Sequence, residues 1–170
     1  MSAMEGTPPG APWIEPARLD DIADLARLRW QLYVEQEGER EPLQAYQDRF
    51  VAFALQALAT DRWHAWVARD AERLVAAMWL QTVIRIPVPG KIAGPIGYLT
   101  NVYVAPAHRD GGLGSRMLEL VLEWCRTKGF SCVITWPTSR SRPFYRRGGF
   151  DRLDEPFLLE LAPDEGLNGP

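Results

Sequence analysis

Apolar residues recur in the first third of the chain at the three- and four-residue spacing that is typical of amphipathic helices. The first run has its apolar face at Ile22, Leu25, Leu28 and Leu32. The second run has its apolar face at Phe50, Ala54 and Leu58. Asp20 or Asp21 can cap the start of the first helix, and Pro42 suits the first turn of the second. The pattern predicts two helices separated by an acidic loop over Glu35–Glu41.

The middle of the chain changes to shorter apolar runs bounded by turn residues, which is typical of strands. A short strand is predicted at Trp13-Ile14, before the first helix. The runs Trp63–Ala68 and Leu74–Ile84 predict a pair of strands joined by the polar turn Arg69–Glu72. A segment rich in Pro and Gly then leads to a further strand over Gly97–Val104.

That strand opens a strand, helix, strand sequence of the kind that forms a parallel crossover. The helical pattern runs from Leu113 to Lys128. Its apolar face comprises Leu113, Met117, Leu120, Val121 and Trp124. Gly129 supplies a C-terminal stop, and Ser131–Trp136 predicts a buried strand.

The last predicted helix starts near Ser141, because Pro143 fits only a first helical turn, and ends at Gly148-Gly149. A final strand region follows over residues 150–161. We therefore expect one domain over residues 12–161, between a flexible tail at 1–11 and a polar tail at 162–170. Its class is α/β (α+β), with a mixed sheet flanked by helices.

Composition narrows the class of protein. The chain has 170 residues, of which 46% are hydrophobic, which suits one domain with a sizeable core. Its net charge of −3 argues against a nucleic-acid partner. Cys125 and Cys132 lie in apolar runs without metal-ligand spacing, so we expect small core residues in a reducing compartment. No apolar run is long enough to span a membrane, and the first residues do not resemble a signal peptide, so a cytoplasmic protein is expected.

A glycine-rich loop stands between the strand Gly97–Val104 and the helix that follows it. The loop reads Arg109-Asp110-Gly111-Gly112-Leu113-Gly114. Glycine lets the main chain approach a ligand closely, and the first N–H groups of a helix bind anions well. The dinucleotide fingerprint does not fit, because Met117 stands where its third glycine belongs, and no Gly-Lys-Ser/Thr follows as in a phosphate loop of NTPases. The pattern predicts a phosphorylated cofactor.

Two motifs resemble those of the GNAT superfamily of acyl-CoA N-acyltransferases. The first is R-x-x-G-x-G from Arg109 to Gly114, preceded by the turn Val104-Ala105-Pro106. The second is Phe144-Tyr145-Arg146-Arg147-Gly148-Gly149-Phe150, similar to the F-Y-x-x-x-G-F of that family. The resemblance implies a mostly antiparallel twisted sheet with a βαβ cofactor-binding unit. It also implies acetyl-CoA as cofactor and a small-molecule or peptide amine as acceptor.

The resemblance also implies roles for individual residues. Backbone groups that contact the pantetheine arm would come from Val102, Tyr103 and Val104. The pyrophosphate would be held by Arg109, Asp110, Gly111, Gly112, Leu113, Gly114 and Ser115. Tyr145 would be the general acid for the departing thiolate. Thr138 stands where many relatives have an Asn that touches the cofactor, and Arg142 is a candidate ligand for the 3′-phosphate.

Several assignments stay open from sequence. Thr100 stands where some relatives have an acid, so the general base is not identified. Asn101 binds substrate, orients a water or simply pairs in the sheet. The four glutamates of the acidic segment either attract a cationic amine or form a solvated loop. His64 is a base near the substrate or a packed histidine, and the seven tryptophans form core or an acceptor pocket.

The sequence thus predicts an N-acetyltransferase that transfers an acetyl group to a primary amine by direct attack on the thioester. Neither cysteine has a nearby partner for a covalent acyl-enzyme. The alternative is a non-catalytic acyl-CoA-binding sensor or assembly module. A longer acyl chain, a hydroxyl acceptor and a homodimer are also left open.

Overall fold

The computed structural model describes residues 11–87, 89–90 and 93–151. Most of the predicted strand region at 150–161 lies outside these residues, as do the C-terminal tail and nearly all of the N-terminal tail. The chain divides into two compact units, residues 1–135 and 136–170.

Within the described residues, the first unit contains a five-stranded sheet whose strand order follows the chain order. Its strands are β1 (Trp13–Pro16), β2 (Trp63–Asp70), β3 (Arg73–Val83), β4 (Ile96–Val104) and β5 (Cys132–Ile134). The first three pairings are antiparallel, and β4 pairs with β5 in parallel. The sheet is therefore mixed and mostly antiparallel, as predicted.

Helices α1 (Ile22–Glu37), α2 (Leu43–Leu58) and α3 (Leu113–Thr127) of the described chain accompany this sheet, with short 3-10 turns at Leu19–Asp21 and Pro106–His108. Because α3 connects the parallel strands β4 and β5, the predicted βαβ unit is confirmed. The expected acidic loop is only partly a loop, since α1 continues through Glu35 to Glu37 before Gly38 ends it.

The two faces of the sheet carry different cores because side chains alternate along each strand. On one face, Ala65 and Val67 of β2 and Trp79 of β3 join the buried residues of α1 and α2. On the other face, Trp66 packs edge-on against Trp124 of α3, with ring centroids 5.1 Å apart. The helices α1 and α2 thus cover one face, and α3 covers the opposite one.

Asp21 has a different role from the cap that its position predicted. Its side chain makes no capping bond to α1, and Oδ2 instead accepts from the backbone N–H of Arg18 at 2.8 Å. Its other oxygen pairs with the guanidinium of Arg69 on β2, and Asp21 is only 4% exposed. Arg69 also donates to Glu15 on β1 and lowers the pKa of that carboxylate. The buried pairing joins the start of α1 to the sheet.

Three smaller expectations are wrong. Strand β5 covers only Cys132–Ile134, shorter than the predicted Ser131–Trp136. Cys125 is buried as expected, but Cys132 is exposed. On α3, the buried face includes Leu113, Met117, Leu118, Val121 and Cys125. Leu120, which was predicted on that face, is 38% exposed.

The second unit contains the helix α4, Arg142–Arg147. Pro143 lies in its first turn, as predicted. Gly149 has a φ of +85°, and the N–H of Phe150 donates to the Tyr145 carbonyl at 3.0 Å. This left-handed glycine closes the helix with the C-terminal bonding pattern that the sequence predicted.

Candidate active site

Strand β4 leaves its regular pairing in the region that the sequence assigned to the pantetheine arm. Its parallel pairing with β5 ends at Tyr98, opposite Ile134, although β4 continues to Val104. Its antiparallel register with β3 shifts between Ala77 and Trp79. Across this shift Asn101 has a φ of +49°, which marks an irregularity in the strand. Residues 102–104 therefore follow a bulge and lie beyond the β5 pairing.

The loop after β4 presents backbone N–H groups at the start of α3. Asp110 and Gly112 have φ values of +63° and +77°, and Gly112 is the N-cap of the helix. The first helical bond runs from the Arg116 N–H to the Gly112 carbonyl, at 3.1 Å. The N–H groups of Leu113, Gly114 and Ser115 therefore precede the internal bonding of the helix. Left-handed glycine at the N-cap explains why the sequence needs a glycine at this point.

Gly111 faces open space. A Cβ added there would meet no heavy atom within 4 Å, and its φ is not left-handed. The loop surface beside the first turn of α3 is thus accessible to a ligand. Free N–H groups and the positive end of the α3 dipole are the donors that a pyrophosphate requires, so the residues present fit this part of coenzyme A.

The Arg109 side chain lies against the protein. Its Nε donates to the Val104 carbonyl at 2.8 Å, and its Nη2 donates to Glu35 Oε2 at 2.7 Å. Its guanidinium also lies 5.6 Å from the centre of the Tyr103 ring. The predicted cation is therefore beside the loop but already bonded, so an anion there would compete with Glu35 for Nη2.

Glu35 joins three elements at this point. Its Oε1 accepts from the Tyr103 hydroxyl at 2.7 Å, while Oε2 accepts from Arg109. Burial, and then the bond to Glu35, raise the pKa of Tyr103 to about 12. The last turn of α1 is thus tied to the end of β4 and to the loop. The sequence placed Glu35 in an acidic loop that either attracts a cationic amine or is solvated, and no local pattern indicated this long-range contact.

The second unit holds the remaining predicted residues. Tyr145 is buried, and its ring lies between those of Phe144 and Phe150, with centroid distances of 5.0 and 5.4 Å. The Thr138 hydroxyl bonds the Ser141 hydroxyl at 3.1 Å, in the turn that precedes α4. Arg142 is exposed at the first position of α4. The assigned roles of Thr138, Tyr145 and Arg142 stay predictions.

Both histidines contact a side chain of a neighbouring strand. His64 bonds the Thr82 hydroxyl at 3.2 Å and lies 4.5 Å from the Trp124 ring, and burial lowers its pKa. This agrees with a packed histidine. His108 contacts the Asp70 carboxylate at 2.9 Å.

The tryptophans divide between core and surface. Trp79 is 2% exposed and belongs to the core of α1 and α2, whereas Trp136 is 62% exposed. Trp30 is half-buried and donates through Nε1 to the Glu41 carbonyl at 2.9 Å.

The chain is similar in sequence to known acetyltransferases. The model of the acetyltransferase (GNAT) family matches residues 20–150. Aminoglycoside N(6′)-acetyltransferase type 1 of Acinetobacter haemolyticus is 30% identical over 121 residues, which cover 71% of this chain and 74% of that protein. Glucosamine 6-phosphate N-acetyltransferase of Trypanosoma brucei brucei is 33% identical over 66 residues, or 39% of this chain. That match spans 45% of the trypanosomal enzyme, less than half of its length.

A solved structure has the same fold. The crystal structure of a predicted acetyltransferase from Clostridium acetobutylicum with acetyl-CoA has a TM-score of 0.77 and 21% identity. The similarity covers 91% of this chain and 99% of that one. Among the helices in the described part of the chain, none is both long and apolar enough to cross a bilayer. The family match, the aminoglycoside relative and the shared fold establish that this chain belongs to the acetyltransferase (GNAT) family.

Proposed function

We propose that this protein transfers an acetyl group from acetyl-CoA to a primary amine by direct attack on the thioester. The observation that carries the proposal is that one strand connects the two parts of the proposed cofactor site. Strand β4 leaves its pairing with β5 after Tyr98, and the same strand leads into the N–H groups at the start of α3. The names of both curated relatives, which are N-acetyltransferases acting on amino sugars or aminoglycosides, support an amine acceptor.

The proposed cofactor contacts follow from this chain's own groups. The N–H groups of Leu113, Gly114 and Ser115 would hold the pyrophosphate, supported by the dipole of α3. Backbone groups of Val102, Tyr103 and Val104 would hold the pantetheine arm, because β5 does not pair with this part of β4. Acetyl-CoA itself supplies an activated thioester, so the protein has no need of a nucleophile of its own.

Two further requirements of the reaction concern protons. The new C–N bond forms as the C–S bond breaks, so the amine must lose a proton and the departing sulfur must gain one. Because Tyr145 lies in the family motif, we assign it as the residue that protonates the departing sulfur. Tyr145→Phe would remove this role and keep the aromatic ring. Thr138 and Arg142 remain proposed contacts to the cofactor on the same basis.

Cys125 is unsuited to be a nucleophile, because burial raises the pKa of its thiol to about 11.

The test is thiol release from acetyl-CoA in the presence of a panel of primary amines. The wild type is compared with Gly111→Trp, which puts a large side chain into the open space beside the loop without backbone strain. Thr127→Trp, an exposed position at the far end of α3, is the matched control. We expect amine-dependent thiol release in the wild type and the control, and at least a tenfold lower kcat/KM for acetyl-CoA in Gly111→Trp.

A different result would decide against the proposal. Full activity of a folded Gly111→Trp would show that the loop does not hold the cofactor. Binding of acetyl-CoA without turnover of any amine would favour the alternative, a non-catalytic acyl-CoA-binding module.

A further inference from the structure

A cleft of about 190 Å³ lies between α1 and α2 in the first unit. Its lining consists of Arg29, Trp30, Tyr33, Arg40, Glu41 and Tyr46. Three of these residues are aromatic and three are charged. We refer to it as the α1–α2 cleft.

The charged side chains that line the cleft do not pair with one another. Glu41 accepts from Arg49, a residue outside the lining, and Arg40 pairs with Glu37 at 3.5 Å. Arg29 is half-buried, and its guanidinium forms no ion pair or side-chain hydrogen bond with any other residue that the structure describes. The cleft therefore carries one cation whose charge is not met by a carboxylate of the described chain.

Two phenols add to this set of donors. The hydroxyls of Tyr33 and Tyr46 make no hydrogen bond with another residue in the described part of the chain. Burial raises the pKa of Tyr46, which keeps its hydroxyl protonated and able to donate. Trp30 is held in place by its bond to the Glu41 carbonyl, so its ring forms a fixed flat wall. A guanidinium and two phenols next to a flat aromatic surface suit an oxyanion attached to an organic skeleton.

The cleft and the proposed site share helix α1. Tyr33 precedes Glu35 by two residues, a rise of about 3 Å along the axis, and the two side chains project from different sides of the helix. Glu35 contacts Tyr103 at the end of β4 and Arg109 at the start of the loop. The segment of α1 that lines the cleft thus leads directly into the turn that touches both proposed cofactor elements.

We propose that the α1–α2 cleft selects an acceptor that carries an anionic oxygen group, a carboxylate or a phosphate, in addition to its amine. Arg29 is the principal contact to that group, and the hydroxyls of Tyr33 and Tyr46 donate further hydrogen bonds to it. The inference rests on the proposed acetyl transfer and goes further, because it excludes purely cationic amines as preferred acceptors.

The experiment compares amines that differ only in the anionic group. Tyrosine is paired with tyramine for the carboxylate, and glucosamine 6-phosphate with glucosamine for the phosphate. In the wild type we expect the anionic member of at least one pair to have a kcat/KM at least about tenfold higher, the usual scale for a charge-assisted hydrogen bond. The pair that shows the preference identifies the source of the anion.

Variants locate the preference in the cleft. Arg29→Gln should reduce the ratio within the preferred pair to near one, whereas Arg126→Gln, an exposed arginine on α3, should leave it unchanged. Tyr33→Phe should reduce the ratio partially, and it provides the same test if Arg29→Gln does not fold. A ratio near one in the wild type, or a ratio that survives both cleft variants, would overturn the inference while leaving acetyl transfer intact.

Failure of the proposed function is detected separately. If no amine is acetylated, the same four compounds are titrated by calorimetry into wild type, Arg29→Gln and Tyr33→Phe. Binding of an anionic member only, weakened in the variants, would support the anion site without catalysis. Equal binding of both members, or none, would overturn it.

Discussion

At the scale of single residues, the most informative contact is the one that Glu35 makes with Tyr103 and Arg109. Tyr103 is 4% exposed, so its hydroxyl needs a partner inside the protein, and the Glu35 carboxylate supplies it at 2.7 Å. The same carboxylate offsets the charge of Arg109. One glutamate therefore satisfies a buried phenol and a cation next to the loop.

This contact predicts how stability depends on alkaline pH. The folded pKa of Tyr103 is raised to about 12, above the value of about 10 expected in the unfolded chain. The stabilisation is therefore complete below pH ~10 and is lost as the pH rises from about 10 to 12, because the unfolded chain releases its proton first. Over this range we expect the free energy of unfolding of wild type to fall by roughly 2 kcal/mol more than that of Tyr103→Phe.

Urea unfolding of both proteins at several pH values between 9 and 12 is the measurement. Tyr33→Phe, which replaces a half-buried tyrosine, is the control for loss of a phenol. Identical pH profiles for wild type and Tyr103→Phe would refute the assigned titration.

At the scale of elements, the crossover from β4 through α3 to β5 depends on close backbone contact. A Cβ on Gly94, just before β4, would lie 1.8 Å from the carbonyl oxygen of Gly129, which ends α3. Ser131 reinforces this contact, because its hydroxyl donates to the Gly94 carbonyl and its N–H donates to Pro95. The end of α3 and the start of β4 are thereby held together.

Gly94→Ala is therefore expected to lower the free energy of unfolding by about 1–3 kcal/mol, because backbone atoms must move to admit the methyl group. Gly111→Ala adds the same methyl group in open space and should change stability by about 0.5 kcal/mol or less. Chemical denaturation of the two variants beside wild type measures the difference. Equal stabilities for both variants would contradict the close approach at Gly94.

At the scale of the whole molecule, ligand binding and folding are linked, because only the folded chain presents the α3 loop. Saturation with acetyl-CoA at ~100 times its dissociation constant should stabilise the native state by about 2.7 kcal/mol. In a chain of this length that corresponds to a rise in Tm of about 5–11 °C.

Thermal unfolding with and without acetyl-CoA checks this expectation. The rise should persist in Thr127→Trp and be absent in Gly111→Trp. A rise of equal size in all three proteins would mean that the cofactor is bound elsewhere, whatever the outcome of the turnover assay.

The sequence by itself determined the elements and the family. Hydrophobic spacing depends only on near neighbours, so α1, α2, α3 and the strand pair β2–β3 were predicted nearly at their observed bounds. Left-handed positions such as Gly112, Gly129 and Gly149 were marked by the residue type that tolerates them. The two motifs around Arg109 and Tyr145 were sufficient to indicate the acetyltransferase family, which the comparisons confirm.

Only the tertiary structure decided which charges meet. Arg69 reaches Asp21 across 48 positions of the chain, and Arg109 reaches Glu35 across 74. Charged residues at such separations follow no local period. Their pairing therefore depends on which ends of helices and strands the fold brings together. Arg29 illustrates the same limit. That its guanidinium pairs with no described residue in the α1–α2 cleft is decided by the neighbours that α2 and the segment before it place there.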